Sequence, residues 1–205
     1  MKVSIICAAF RAELLNRVLE SVKKQTHKEW ELIFVNDNQD GVREWWKKFI
    51  LTDYYNQNKD RIFFVDVGIN KGRFGLFTRN IGVMASRYDH LVFLDDDNEW
   101  EPNHLETLVS LKKETGKHPY CWLHIKGKKD DSNVDRVKKT AFIRQHIDLG
   151  CLLYERVWFD RYGGFRDDSQ VSFDWNHLAR IHFGEGPYNF VCTEQPSLVF
   201  WHKRY

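Results

Sequence analysis

Four short apolar runs constrain this chain more than any other feature. Val3-Ser4-Ile5-Ile6-Cys7, Leu32-Ile33-Phe34-Val35, Ile62-Phe63-Phe64-Val65 and His90-Leu91-Val92-Phe93-Leu94 are nearly continuous and do not alternate with polar residues. A strand covered on both faces reads this way, and such strands belong to parallel sheets. Between the first two runs, Leu14, Leu15, Val18, Leu19 and Val22 fall three and four apart, which predicts an amphipathic helix over 12–24. Residues 42–58 and Thr78 to Ser86 read as further helices. Strands alternating with helices predict βαβ units and right-handed crossovers. The expected class is α/β, with a mainly parallel, Rossmann-like central sheet flanked by helices.

The pattern changes after about residue 100. A helix is expected from Pro102 to about Glu114, a strand from Tyr120 to Ile125, and a charged loop over 126–139. Residues 141–165 read as a strand, a helix and a Gly-Gly turn. Asp174 to Phe183 reads as a short helix and Ser197 to Trp201 as a final strand. No repeat, low-complexity segment or linker interrupts the chain, so 1–205 is expected to form one domain of two halves, 1–100 and a smaller 101–205 that completes a cleft. Ligands of such sheets bind at the carboxyl ends of the strands. Asp37 and Asp95 to Asp97 both stand there.

Length and charge exclude several classes. A chain of 205 residues buries enough surface to fold without a disulfide or metal. It has 31 Lys and Arg against 29 Asp and Glu, which excludes a dedicated acidic or basic tail protein. No run approaches 18 apolar residues, so no transmembrane segment is expected. The N-terminus reads as a strand rather than a signal peptide. Cys7, Cys121, Cys151 and Cys192 lie far apart with no Cys-x-x-Cys, as reduced thiols would. Together these point to a cytoplasmic protein. Residues 112–144 hold ten Lys and Arg against four Asp and Glu. With Tyr120 and Trp122 nearby, such a stretch could follow a nucleic-acid backbone; a solvated loop is the plainer reading.

The sharpest motif is Phe93-Leu94-Asp95-Asp96-Asp97. Three adjacent carboxylates repel one another unless a cation is present, and a hard divalent ion would resolve the conflict. A solvated turn or helix cap is the alternative. Asp37 could accept from the imide nitrogen of a uracil or from a ribose hydroxyl, or could close an Asx-turn. Asn70-Lys71-Gly72-Arg73-Phe74-Gly75, followed by Thr78-Arg79-Asn80, combines glycines for close backbone approach with Lys71, Arg73 and Arg79 as cations for a diphosphate. It lacks the Gly-Lys-Ser/Thr ending of a Walker A loop, and no Gly-x-Gly-x-x-Gly follows the first strand. Asp174, beside Trp175 at a helix start, is a candidate general base or an N-cap. His202 is a candidate metal ligand or an exposed terminal histidine.

Taken in order, these segments resemble the family 2 glycosyltransferases, which have the GT-A fold. Val3-Ser4-Ile5-Ile6 is similar to the family's opening strand. Leu19-Glu20-Ser21-Val22 with Gln25-Thr26, then Glu31 to Asp37, is similar to its next block. Asn70-x-Gly72, Arg79-Asn80-x-Gly82 and Phe93 to Asp97 resemble its middle block. Gly163-Gly164-Phe165, followed by Asp174-Trp175 with Leu178 and Arg180, resembles its acceptor-side block. The resemblance runs from residue 3 to about 183.

It implies a nucleotide-sugar donor, a UDP-sugar foremost, a divalent metal (Mn²⁺ or Mg²⁺), and an inverting transfer of one sugar to an acceptor hydroxyl, typically of a glycan. A nucleic-acid acceptor and a non-catalytic sugar-nucleotide-binding module are the alternatives. On the resemblance, 1–100 is the nucleotide-sugar-binding half and 101–205 the acceptor-binding half. Asp37 would hold the base, Asp96 would lie near the ribose, and Asp97 would ligate the metal with Asp95 in support. Arg79 would stand near the donor, with Asn70, Lys71 and Arg73 as further nucleotide-sugar-binding residues. Asp174 would deprotonate the acceptor, and His202 takes the place of a C-terminal metal-binding histidine. The family's Pro-Thr-Tyr-Asn segment is Cys7-Ala8-Ala9-Phe10 here. Ala9 cannot stack on a base as the usual Tyr does, which leaves Phe10 or Phe34 as substitutes. No Gln-x-x-Arg-Trp motif occurs, which argues against a processive polysaccharide synthase.

Overall fold

A computed structural model of the chain describes residues 1–68, 75–129, 132–141, 146–167 and 173–202. Strands β1 (Val3–Ala9), β2 (Trp30–Asn36), β3 (Ile62–Asp66) and β4 (His90–Phe93) are the four expected runs. They form one sheet in the order β3-β2-β1-β4, all parallel, and the two-residue strand β8 (Tyr154–Glu155) adds an antiparallel edge. Helices α1 (Leu15–Lys23), α2 (Asp40–Phe49), α3 (Asp53–Asn58) and α4 (Leu76–Ala85) connect them.

The lack of alternation in the strands has a direct explanation. Along β1, Val3, Ile5, Cys7 and Ala9 enter one core while Ile6 enters a second. In β2, Leu32 and Phe34 face the first core and Ile33 and Val35 the second. Leu91 and Phe93 of β4 join the second core, and Val92 joins the first. Helix α1 covers the first face with Leu15, Val18, Leu19 and Val22, and α4 covers the second with Leu76 and Val83. At roughly 1.5–3 kcal/mol per fully buried aliphatic or aromatic side chain, this two-sided burial is the main force holding the sheet.

Several motif residues prove to hold the fold together. A Cβ on Gly82 would stand 2.3 Å from Cγ2 of Ile6, so glycine lets α4 lie directly on β1. Gln25 is buried; its amide donates to the carbonyls of Ser21 (3.1 Å) and Glu101 (2.9 Å) and accepts from the N–H of Leu105 (3.0 Å). It thereby ties the end of α1 to the start of α5 (His104–Thr115). Glu31 is buried and accepts from Ser4 Oγ, Arg87 N and Arg87 Nε, all at 2.6 Å.

A second, four-stranded sheet has the order β5-β9-β6-β7, three of its strands coming from beyond residue 100. Its strands are β5 (Asn98–Trp100), β6 (His118–Lys129), β7 (Ser132–Lys138) and β9 (Phe190–His202). Strands β6 and β9 are parallel, and the other pairs antiparallel. The expected charged loop over 126–139 is therefore wrong: the described part of it is the end of β6 and all of β7. Charge hid the period, because β7 is the outermost strand, where charged residues are the usual protection against further pairing. Val134 of this strand packs on the core. Helices α6 (Val157–Tyr162) and α7 (Phe173–Glu185) complete the domain. Among the described residues no helix is long and apolar enough to cross a membrane.

Candidate active site

Parallel strands end together, and their ends make the cleft. A cavity of about 440 Å³ opens past the carboxyl ends of β1, β2 and β4. Ala8, Ala9 and Phe10 line it from β1, Asp37 from β2, and Asp95, Asp96 and Asp97 from β4. Gly75, Thr78 and Arg79 close it from α4. Eight of the residues singled out in the sequence thus meet around one space. Asn70, Lys71 and Arg73 lie outside the described residues.

The cleft also holds a residue that local sequence reading missed. Arg11 follows Phe10 and reaches the acidic run. Asp96 is buried, and its carboxylate accepts from the N–H groups of Phe10 (2.9 Å) and Arg11 (2.7 Å), from Arg11 Nε (3.0 Å) and from Arg11 Nη2. Arg11 Nη2 also lies 2.9 Å from Asp97 Oδ2. Arg79, itself buried, donates to Asp95. Mutual repulsion in the run is therefore relieved by guanidinium groups of the chain itself. Burial pushes the Asp96 carboxyl above its ordinary range, and the bonds from Arg11 and the two N–H groups oppose that rise. Burial works against the charge on Arg11, but its bonds to Asp96 and Asp97 outweigh burial and raise its pKa. The signal available in the sequence was a lone cation after the first strand; its partner is 85 positions away.

Asp37 is buried, its N–H bonding the carbonyl of Ala9 at 3.4 Å and its carbonyl accepting from Gln39 Nε2 at 2.9 Å. The two phenylalanines differ in burial. Phe34 is fully buried against Trp45, while Phe10 is 52% exposed at the cleft.

Metal-ligand chemistry fits part of this site. Among the described residues, no three His, Cys, Asp or Glu side chains surround a common point. Asp95 and Asp97 nevertheless present hard oxygen donors to the cleft, with side chains 29% and 32% exposed. A divalent cation held by one or two carboxylates and completed by phosphate oxygens matches that donor set. The antiparallel register Trp100↔Leu198, Glu99↔Val199, Asn98↔Phe200 carries β9 toward the acidic run, and His202 is two residues further on. Its side chain, like that of Asp174, is outside the description. Asp174 stands in the first turn of α7.

The turn before α7 is gripped from two sides. Asn80 of α4 donates to the carbonyl of Phe165 and accepts from its N–H, both at 2.9 Å. Arg180 of α7 donates to the carbonyls of Tyr162, Gly163 and Gly164. In the basic stretch 112–144, Lys112 pairs with Glu155, Lys126 with Glu101, and Lys139 lies over Trp122.

The sequence model of Glycosyl transferase family 2 matches residues 4–183. An uncharacterized glycosyltransferase of Nostoc, alr2836, is 32% identical over 113 residues, 54% of this chain and 33% of its own. An uncharacterized glycosyltransferase of Bacillus subtilis, YwdF, is 24% identical over 193 residues, 88% of this chain and 68% of its own. The crystal structure of S. aureus TarS 1–349 in complex with UDP-GlcNAc superposes with a TM-score of 0.76 at 15% identity, covering 100% of this chain and 60% of that one. The chain thus spans about a third of the Nostoc relative and shares the fold of TarS. From the strand-end cleft and this match over most of its length, the chain belongs to glycosyl transferase family 2.

Proposed function

We propose that this chain is a metal-dependent, inverting glycosyltransferase that moves one sugar from a UDP-sugar to an acceptor hydroxyl of a glycan. The observation that carries the reading is the meeting of Phe10, Asp37, Arg79 and Asp95 to Asp97 around one cleft at the carboxyl ends of the sheet. The TarS structures, whose fold this chain shares, include complexes with UDP and with UDP-GlcNAc, which supports uridine as the base.

In this reading Phe10 stacks on the base and Asp37 accepts from its imide N–H. Asp96 holds the loop that carries Phe10 and borders the ribose. Asp97, with Asp95 and His202, would hold Mn²⁺ or Mg²⁺, which would neutralise charge on the departing diphosphate. Arg79, with Asn70, Lys71 and Arg73, would bind the diphosphate. Asp174 takes the proton from the acceptor hydroxyl as the acceptor oxygen bonds the anomeric carbon and the bond to the diphosphate breaks on the opposite face.

The test is a melting-temperature panel of UDP and UDP-sugars with and without Mn²⁺, followed by UDP release on incubation. A ligand that binds only the folded chain must raise its stability. At least one UDP-sugar should raise the melting temperature more with Mn²⁺ than without. Asp97→Asn should lose that difference, and Asp174→Asn should keep donor binding but lose turnover. No shift with any UDP-sugar would remove the donor assignment, and equal shifts without Mn²⁺ would remove the metal.

A further inference from the structure

Arg11 meets two of the three carboxylates, and it meets them unequally. On the Asp96 side its backbone N–H, its Nε, its Nη2 and the N–H of Phe10 all bond a carboxylate whose side chain is 3% exposed. On the Asp97 side Nη2 stands 2.9 Å from Oδ2, and that side chain is 32% exposed. The first attachment persists if the second opens. The second occupies the most accessible carboxylate of the run with a positive charge.

We propose that Arg11 is a resident counter-cation: its Nη2 holds Asp97 where a divalent cation would bind, and cation loading requires that contact to open while Asp96 keeps the rest of the residue in place. The proposal rests on the metal reading above. A guanidinium at contact distance stabilises the empty carboxylate and repels an incoming dication. A protein whose binding-competent form is only partly populated binds with an affinity reduced by that fraction. Because the N–H of Phe10 hangs on the same Asp96, the opening takes place on the loop that forms the cleft wall.

The test is a Mn²⁺ titration of the full chain without nucleotide, read from the electron paramagnetic resonance signal of free Mn²⁺. Four proteins are compared: wild type, Arg11→Met, Arg17→Met and Asp97→Asn. Arg11→Met should bind about tenfold more tightly than wild type. Arg17 is the charge control: its Nη2 donates to the backbone carbonyl of Asp97 at 2.9 Å and its Nε pairs with Glu99 at 3.1 Å, so it does not cover the carboxylate. Arg17→Met should gain less than about threefold. Should Arg11→Met fail to fold, Arg11→Lys keeps the charge but not the fork, and it too should bind more tightly than wild type. Equal or weaker binding by the Arg11 variants, with Mn²⁺ still bound through Asp97, overturns the counter-cation and spares the metal. An equal gain in Arg17→Met also overturns it, because removal of charge alone would then suffice. Absence of any binding sensitive to Asp97→Asn overturns the metal reading and the counter-cation with it.

Discussion

The cleft side and the α7 side of this molecule are fixed by different means. On the cleft side, β1, β2 and β4 are buried on both faces, and residues just past their ends inherit that rigidity. On the α7 side, the pieces come from far apart in the sequence. Strand β6 pairs with β9 through register shifts between Tyr120, Trp122 and Leu123. The Gly163–Phe165 turn is held by the side-chain ends of Asn80 and Arg180. Backbone and close-packed atoms position the first region, and side-chain tips position the second. The same kind of substitution should therefore cost more on the cleft side.

Gly82→Ala is the hardest test of that difference. The new Cβ would stand 2.3 Å from Ile6 Cγ2 and 3.2 Å from Val35 Cγ2, both on strands with no room to retreat. Overpacking of a dense core costs about 1–3 kcal/mol, and this site should lie at the upper end. Thermal denaturation should show a loss of roughly 6–12 °C. A loss under about 3 °C would mean that α4 and β1 can separate, and the comparison would fail.

Asn80→Ala probes the side-chain clamp. It deletes both bonds to the backbone of Phe165. About 2 kcal/mol should be lost, since each bond contributes near 1 kcal/mol net and the freed backbone groups are partly buried. A Cβ on Gly164 would lie 2.4 Å from Asn80 Oδ1, so Gly164→Ala should break the same clamp. The double variant should then cost clearly less than the sum of the singles; strict additivity would show that the two residues do not act together.

What could be read from the sequence follows the same division. The four parallel strands, the flanking helices and the acids after β2 and β4 are legible because their signals are local. The 42–58 helix divides at Leu51 and Thr52, where Thr52 caps α3 by accepting from Tyr55 N at 3.2 Å, a capping signal visible only in hindsight. The β6–β7 hairpin was illegible because its support, β9, is distant in the chain and its own exposed positions are charged. Arg11 was illegible for a related reason: nothing near it in the sequence shows that Asp96 and Asp97 will meet it. Phe10 and Phe34 could not be told apart from the sequence, because only the two-sided cover of β2 in the folded sheet buries Phe34.

His177, in α7, tests the second core by pH. It is fully buried against Phe165 (4.2 Å between ring centroids) and Phe159 (4.8 Å), and neither ring nitrogen has a hydrogen-bond partner among the described residues. Burial, then the nearby Arg180 and Arg166, push its pKa down to about 3. The unfolded chain takes up this proton near pH 6.5, and the folded chain resists it until about pH 3. The associated stability is complete above pH 6.5 and is lost as pH falls toward 3, by up to about 1.4 kcal/mol per pH unit. Urea midpoints of wild type and His177→Phe between pH 7 and 4 isolate this contribution. The variant should be about 1 kcal/mol more stable at pH 7, because two unsatisfied nitrogens are gone, and its advantage should widen on acidification. A constant difference across the range would reject the buried neutral histidine.

Gly184→Ala should have the smallest effect, although its clash is as short as that at Gly82. Its Cβ would stand 2.3 Å from Cε1 of Tyr162. Here the opposing atoms are the far end of a side chain half-exposed beside α7, and the ring can swing away. Doing so gives up the bond from Tyr162 Oη to Glu185 at 2.6 Å, a loss of about 1 kcal/mol. Alanine in place of a helical glycine returns about 0.5–1 kcal/mol. The two terms nearly cancel, so the melting temperature should stay within about 2 °C of wild type. Two glycines with the same 2.3 Å approach would then differ severalfold in cost, because one faces buried strands and the other the tip of a tyrosine.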